Sequence, residues 1–288
     1  MEFLPVLFLV LCAMVFLAGV PLNGYVVFVA GCRLERTVSA VWFWSRAVTD
    51  FIFIVFLPIR IISIFVFKIY SIWRLSSTVI SFHMFSSTFL LTVLSIDRCI
   101  LVARPEWARN HRTPCLAFMI ALVILALSVG FSLRYGDLSD YLLSPPSISM
   151  NFHPDAGRMS AAAVIQILVG FLIPLALILI PILYIVLAAK LRRNSLIQST
   201  NPLKILLGLI PTFFLCWLPY HIFAFLQISD MYRMPLLYIG SAVGCVLTYF
   251  SSCLNPIFYL TMEEEFLKYQ QRTRNPETTN KLGPELDE

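Results

Sequence analysis

The sequence predicts an all-α membrane protein, a bundle of seven transmembrane helices followed by a short amphipathic eighth helix. Two observations predict this fold. Of the 288 residues, 59% are hydrophobic and only 13% are charged, whereas about 25% of a typical soluble domain is charged. The apolar residues also form seven stretches long enough to cross a hydrocarbon layer of about 30 Å, which takes about 20 helical residues. We therefore expect lipid to surround the chain.

The predicted spans follow one another through short connections, apart from a longer one at Arg134–Ser160. The first span is too long for the apolar part of a signal peptide, and no basic segment precedes it. We expect residues 1–262 to form one transmembrane domain, and residues 263–288 to form the amphipathic helix and a short disordered cytoplasmic tail. The predicted spans are Phe3–Ala30, Val38–Phe67, Trp73–Val102, Pro114–Leu133, Ala161–Ala189, Pro202–Ile228 and Leu236–Met262.

The distribution of Lys and Arg predicts the orientation of the bundle. Fourteen of the 21 basic residues lie on one side of the predicted membrane, beginning with Arg33 and Arg36. Cytoplasmic loops carry such an excess of basic residues. This places the N-terminus outside the cell and the C-terminus in the cytoplasm of a multi-pass protein.

Composition and motifs argue against several other functions. The net charge of +5 is small and does not indicate nucleic-acid binding. None of the seven cysteines has CxxC spacing, which argues against a zinc site. The sequence has no HExxH or GxSxG motif and no internal repeat of the kind found in transporters. We expect no enzymatic activity and no cofactor.

Polar residues inside membrane spans are costly and usually functional. Five groups of them occur in order, each on a separate predicted span: Leu22-Asn23-Gly24, Ala47-Val48-Thr49-Asp50, Ser95-Ile96-Asp97-Arg98-Cys99, Cys216-Trp217-Leu218-Pro219 and Asn255-Pro256-Ile257-Phe258-Tyr259. Taken together, they resemble the rhodopsin-like (class A) G-protein-coupled receptors along nearly the whole chain. Pro105-Glu106-Trp107 and Phe213–His221 further resemble the chemoattractant branch, which includes the chemerin, formyl-peptide, anaphylatoxin and second prostaglandin-D2 receptors.

The resemblance implies a plasma-membrane receptor for a peptide or lipid chemoattractant that signals through heterotrimeric G proteins of the inhibitory class. It implies hinges at the helix prolines, an acid–base pair of Asp97 with Arg98, and a sodium ion beside Asp50. The residues it implies for the activation switch and G-protein coupling are Asn23, Asp50, Asp97, Arg98, Trp217, Pro219, Asn255, Pro256 and Tyr259.

A ligand cavity is expected between the helices in the outer third of the bundle. Arg60 is interpreted in two ways, as a cation for an anionic ligand or as a side chain that snorkels outward. The residues expected to face the cavity are Arg60, Ser81, His83, Gln166, Tyr220, His221 and Tyr249.

Several departures from the family pattern motivate an alternative function. Trp73 stands near the usual position of a cysteine, Arg134–Ser160 contains none, and the outer N-terminal extension and glycosylation sequons are missing. Tyr184 is displaced from the usual place of the fifth-helix tyrosine. Arg46 either bridges to Asp50 in place of sodium or snorkels to the surface. The alternative is a non-signalling decoy, modulatory or degenerate receptor-like protein.

Overall fold

The computed structural model of the protein describes residues 3–65, 70–143, 164–192, 201–228, 235–262, 266–268 and 270–271. These residues are helical apart from short connections, as expected in lipid, where backbone polar groups must bond within the chain. The all-α class is confirmed. In chain order the helices are α1 (Phe3–Cys32), α2 (Val38–Val55), α3 (Leu57–Phe65), α4 (Tyr70–Ala103), α5 (Pro105–His111), α6 (Pro114–Leu143), α7 (Ile173–Arg192), α8 (Asn201–Ile228) and α9 (Pro235–Met262).

Six helices in the described part of the chain are each long and apolar enough to cross a membrane. The helices α2 and α3 together supply the remaining crossing, the second in chain order, and they are divided at Phe56. The division follows from Pro58, which has no N–H to donate to the carbonyl of Ile54 one turn earlier. Helical hydrogen bonding resumes at once, because Arg60 N donates to Phe56 O over 3.2 Å. The six uninterrupted spans are Val6–Cys32, Arg74–Ala103, Pro114–Leu133, Val164–Ala188, Ile205–Leu226 and Ile239–Met262.

Helix occupies parts of two predicted connections. The short helix α5 lies between α4 and α6 and begins at Pro105, where the missing N–H is no loss because the first turn has no intrahelical acceptor for it. The helix α6 continues to Leu143, so the prediction that a loop begins at Arg134 was wrong. No proline interrupts the sequence between Pro114 and Leu143, so nothing in it breaks the helix before that point.

A π-helical segment, Leu168–Leu172, precedes α7, and the N–H of Ile173 donates to the carbonyl of Leu168. Such a turn adds one residue to the helical repeat and often lies at a functional site. Further along α7, Tyr184 is 42% exposed. The displaced tyrosine therefore points away from the centre of the bundle.

The bundle exposes apolar side chains and buries polar ones. Leu17, Leu183 and Leu215 are each more than 60% exposed, which suits contact with lipid rather than water. The predicted eighth helix is helical at residues 266–268 and 270–271. Its Phe266 is fully buried, with its ring 6.4 Å from that of Phe43 in α2. The predicted tail, Arg274–Glu288, lies outside the described residues.

Candidate functional site: a polar core and its two ends

Polar side chains from four helices meet at the centre of the bundle. We call this cluster the polar core, and all its members are buried. The carboxylate of Asp50 joins three helices: Asn255 Nδ2 donates to Oδ2 over 2.8 Å, and His83 Nε2 lies 2.8 Å from Oδ1. Such partners offset the cost of burying a charge. The polar core comprises Asn23, Asp50, His83, Ser87, Ser252 and Asn255.

The imidazole of His83 lies inside this cluster. Besides Asp50, its Nε2 lies 3.2 Å from Ser87 Oγ and 3.1 Å from Ser252 Oγ. The ring stacks on Phe53, with a centroid distance of 4.0 Å and an angle of 7°. From the sequence we expected His83 to face a ligand, whereas the structure places it between Asp50 and α9.

The side chain of Asn23 connects the first crossing with the seventh. Its Nδ2 donates to Gly19 O within α1 and to Ser252 O in α9, each over 3.0 Å. The structure thus brings Asn23, Asp50 and Asn255 into one cluster. The first, second, third and seventh crossings each contribute a side chain that contacts this cluster.

Arg46 adopts neither of the arrangements expected from the sequence. It is only 2% exposed, so it does not snorkel. It also forms no ion pair with Asp50 among the described residues. Its Nη1 donates to Ser87 O over 2.8 Å, and its guanidinium lies 5.6 Å from the ring centroid of Phe213. The direction of the side chain explains this, because helix side chains lean towards the N-terminus and Asp50 lies C-terminal to Arg46.

Aromatic side chains surround Trp217 on one side of the polar core. The Trp217 ring centroid lies 5.5 Å from that of Tyr220, 6.2 Å from His221 and 5.8 Å from His83. His221 also packs at 4.9 Å on Phe171, in the π-helical segment. Ring contacts therefore connect Phe171 and His221 through Trp217 with His83 of the polar core.

The other candidate ligand residues are buried as well. Tyr249 stacks on the face of Phe53 at 3.9 Å, and Gln166 Nε2 lies 3.7 Å from the sulfur of Met84. Arg60 is 3% exposed and therefore does not snorkel outward. It lies within electrostatic range of Tyr249. Ser81 is fully buried on α4.

At the opposite end of the bundle, which we call the Arg98 end, Asp97 pairs with Arg112, which is not among the site residues expected from the sequence. Arg112, between α5 and α6, donates from Nε to Asp97 Oδ1 over 2.7 Å and from Nη2 to Oδ2 over 2.8 Å. The expected acid–base pair of Asp97 with Arg98 was wrong. Arg98 instead donates to Ser39 Oγ over 3.3 Å and lies over the ring of Phe43 at 5.8 Å.

The seventh crossing connects the polar core with the Arg98 end. Pro219 and Pro256 lie inside the continuous helices α8 and α9, where each leaves one carbonyl without its helical donor. Tyr259 is fully buried, and its ring lies 5.0 Å from that of Phe43. Phe43 thus contacts both Tyr259 and Arg98.

Sequence reasoning missed four residues of these clusters: Ser39, Ser87, Arg112 and Ser252. A signal was available for Ser87, since it follows His83 by one helical turn and shares its helix face. Arg112 gave no such signal, because a separate short helix lies between it and Asp97.

Comparisons with known proteins identify the family of the chain. The family model of the 7 transmembrane receptor (rhodopsin family) matches residues 22–259, a range that contains the polar core and reaches Tyr259. The chain belongs to the rhodopsin family. It is therefore a G-protein-coupled receptor in a membrane and not an enzyme, as the sequence predicted.

Individual relatives of this receptor lie in the chemoattractant branch. It is 34% identical to chemerin-like receptor 1 of Sus scrofa, over 93% of this chain and 79% of that protein. It is also 34% identical to chemerin-like receptor 1 of Homo sapiens, over 93% and 77% of the two chains. Identity to N-formyl peptide receptor 3 of Homo sapiens is 30%, over 87% and 77%. The receptor is of the chemoattractant type.

Proposed function

We propose that the receptor lies in the plasma membrane with its N-terminus outside, binds a peptide or lipid chemoattractant, and activates inhibitory-class G proteins. One observation carries most weight. A continuous series of contacts runs from His221 through Trp217 and His83 to Asp50 and Asn255. Packed chains of this kind couple distant sites when their elements have two arrangements.

The ligand class follows from the side chains on the outer side of Trp217. They combine aromatic rings with the buried guanidinium of Arg60. A guanidinium pairs strongly with a carboxylate, so we assign Arg60 to an anionic group of the ligand. The remaining proposed contacts are Ser81, Gln166, Tyr220, His221 and Tyr249.

The proposal is tested by GTP loading of inhibitory-class G proteins in membranes from cells that express the receptor with an N-terminal tag. Formyl peptides, chemerin-derived peptides and anionic lipids serve as ligands. Surface labelling of the tag in intact cells establishes delivery and orientation independently. A receptor that is labelled at the surface but gives neither basal nor ligand-driven loading would instead favour the non-signalling alternative.

A sharper test concerns Arg60. Any active peptide is compared with its C-terminally amidated form on the native receptor, on Arg60→Gln and on Arg74→Gln. We expect the native receptor and the Arg74 variant to prefer the free acid, and Arg60→Gln to lose most of that preference. An unchanged preference in Arg60→Gln would remove Arg60 from the proposed site.

A further inference from the structure

Resemblance to rhodopsin-like receptors implies a sodium ion beside Asp50. The surroundings of Asp50 in this structure differ from those of a sodium site. We infer that His83 takes the place of the cation, so that this receptor does not bind sodium at Asp50 and its stability does not depend on sodium. This inference rests on membership of the rhodopsin family and not on the proposed ligand or G protein.

The geometry around Asp50 leaves no site for the ion. A hard cation such as sodium binds where several oxygen atoms converge. Oxygen atoms of Asp50, Ser87 and Ser252 do converge, but on His83 Nε2, at 2.8, 3.2 and 3.1 Å. An ionised carboxylate only accepts hydrogen bonds, so Nε2 carries the proton. The second carboxylate oxygen already accepts from Asn255. The imidazole thus fills the point of convergence.

Close packing around His83 also excludes the ion. The His83 ring is held against Phe53, and Phe53 stacks in turn on Tyr249 with an angle of 3° between the rings. Trp217 lies on the His83 ring at 5.8 Å. Because all four side chains are buried, the imidazole cannot leave the cluster without moving its aromatic neighbours. The space is therefore not available to an ion.

A basic side chain near Asp50 already supplies the positive charge that an ion would bring. Asp50 and Arg46 are both buried and lie one helical turn apart on α2. Arg46 is held against Ser87, which itself contacts His83. The receptor thus carries a fixed cation one helical turn from Asp50, held on a residue that contacts His83, and the region needs no added ion to balance its charge. A buried charge without such compensation is strongly unfavourable.

The test is thermal unfolding of the purified full-length receptor in detergent, in NaCl and in choline chloride of equal ionic strength. We expect the same Tm in both salts for the native receptor. The double variant His83→Ser, Arg46→Leu removes both internal substitutes, and we expect sodium to raise its Tm by about 3–6 °C at ten times the dissociation constant. Thr88→Ala is the matched control, since its hydroxyl bonds only to Met84 O and Phe85 O of its own helix.

A sodium-specific rise in the Tm of the native receptor would overturn the inference. A folded double variant that remains insensitive to sodium would overturn the assignment of His83 and Arg46 as the groups that exclude the ion.

Should the double variant not fold, the ²³Na linewidth of the native receptor is compared with that of Asp50→Asn. Equal linewidths support the inference, and a narrower line in Asp50→Asn contradicts it. None of these measurements uses a ligand or a G protein, so their failure is distinct from failure of the proposed function.

Discussion

Adjacent residues on a helix do not face each other, and this explains why Arg112 rather than Arg98 pairs with Asp97. Consecutive side chains point about 100° apart around the helix axis. Asp97 therefore turns towards the connection after α5, where Arg112 offers the two parallel donors that match a carboxylate. Arg98 turns towards Ser39 and Phe43 of α2. The connection between α5 and α6 thereby becomes a direct partner of the acidic residue.

We expect Arg112→Ala to raise basal GTP loading. Loss of two charge-assisted hydrogen bonds weakens the described arrangement, and a loss of about 1.4 kcal/mol raises the population of a competing state about tenfold. The increase is measured in membranes without ligand, at matched receptor levels. Arg109→Ala, an exposed arginine of α5, is the control and should leave basal loading unchanged. Equal loading in both variants would show that the pair does not restrain the receptor.

His83 also stabilises the fold through its contact with Asp50. We expect His83→Ala to destabilise the receptor by roughly 3 kcal/mol, because Asp50 would lose a buried partner. That corresponds to a fall in Tm of about 6–12 °C, measured in choline chloride. His111→Ala changes an exposed histidine that stacks on Trp107 and should shift the Tm far less. Similar shifts for both histidines would contradict the importance of the Asp50 contact.

At the scale of elements, helix existence was predictable because each crossing needs a long apolar run. Four predicted spans begin and end within a few residues of the observed ends of α1, α4, α8 and α9. Local features of the helices, such as breaks and exact lengths, were harder to predict from the sequence. The division of the second crossing depends on a single proline, Pro58, and prolines elsewhere lie within unbroken helices such as α8. The length of α6 was missed because its last turns, to Leu143, are less apolar than its membrane span.

The polar core shows a second limit of sequence reasoning. The spans alone identify Asn23, Asp50 and Asn255 as costly polar residues, and the structure brings these three together. The partners of His83 on other helices were not predictable, because residues 83–88 of α4 are all buried. A helix that is buried all round gives no periodic pattern from which to decide which face meets which partner.

The packing of α8 on α9 depends on Gly244. A Cβ atom there would lie 3.0 Å from both Cα and N of Tyr220, and backbone atoms cannot move aside as a flexible side chain can. We expect Gly244→Ala to cost about 1–3 kcal/mol, measured as a lower Tm, because the two helices must separate. Gly130→Ala on α6 is the matched control, since nothing lies within 4 Å of its added Cβ. It should leave stability unchanged or raise it, because alanine is the better helix former.

At the scale of the whole molecule, the positions of the cysteines provide a test of orientation. Cys32, at the end of α1, and Cys115, at the start of α6, are exposed, whereas Cys12, Cys245 and Cys253 are buried. Both exposed thiols lie at the end of a crossing that faces the cytoplasm in the proposed orientation. They are the expected targets of a charged maleimide that does not cross membranes.

We expect this maleimide to label the receptor weakly in intact cells and strongly after the plasma membrane is permeabilised. Cys32→Ser together with Cys115→Ser should remove most of the added labelling, because burial protects the thiols in the interior of the bundle. Cys12→Ser together with Cys253→Ser is the control and should leave it unchanged. Strong labelling of Cys32 and Cys115 in intact cells would reverse the orientation. It would also place Arg98 and Arg112 on the outer side, where no G protein reaches them, and the proposed signalling function would fail with it.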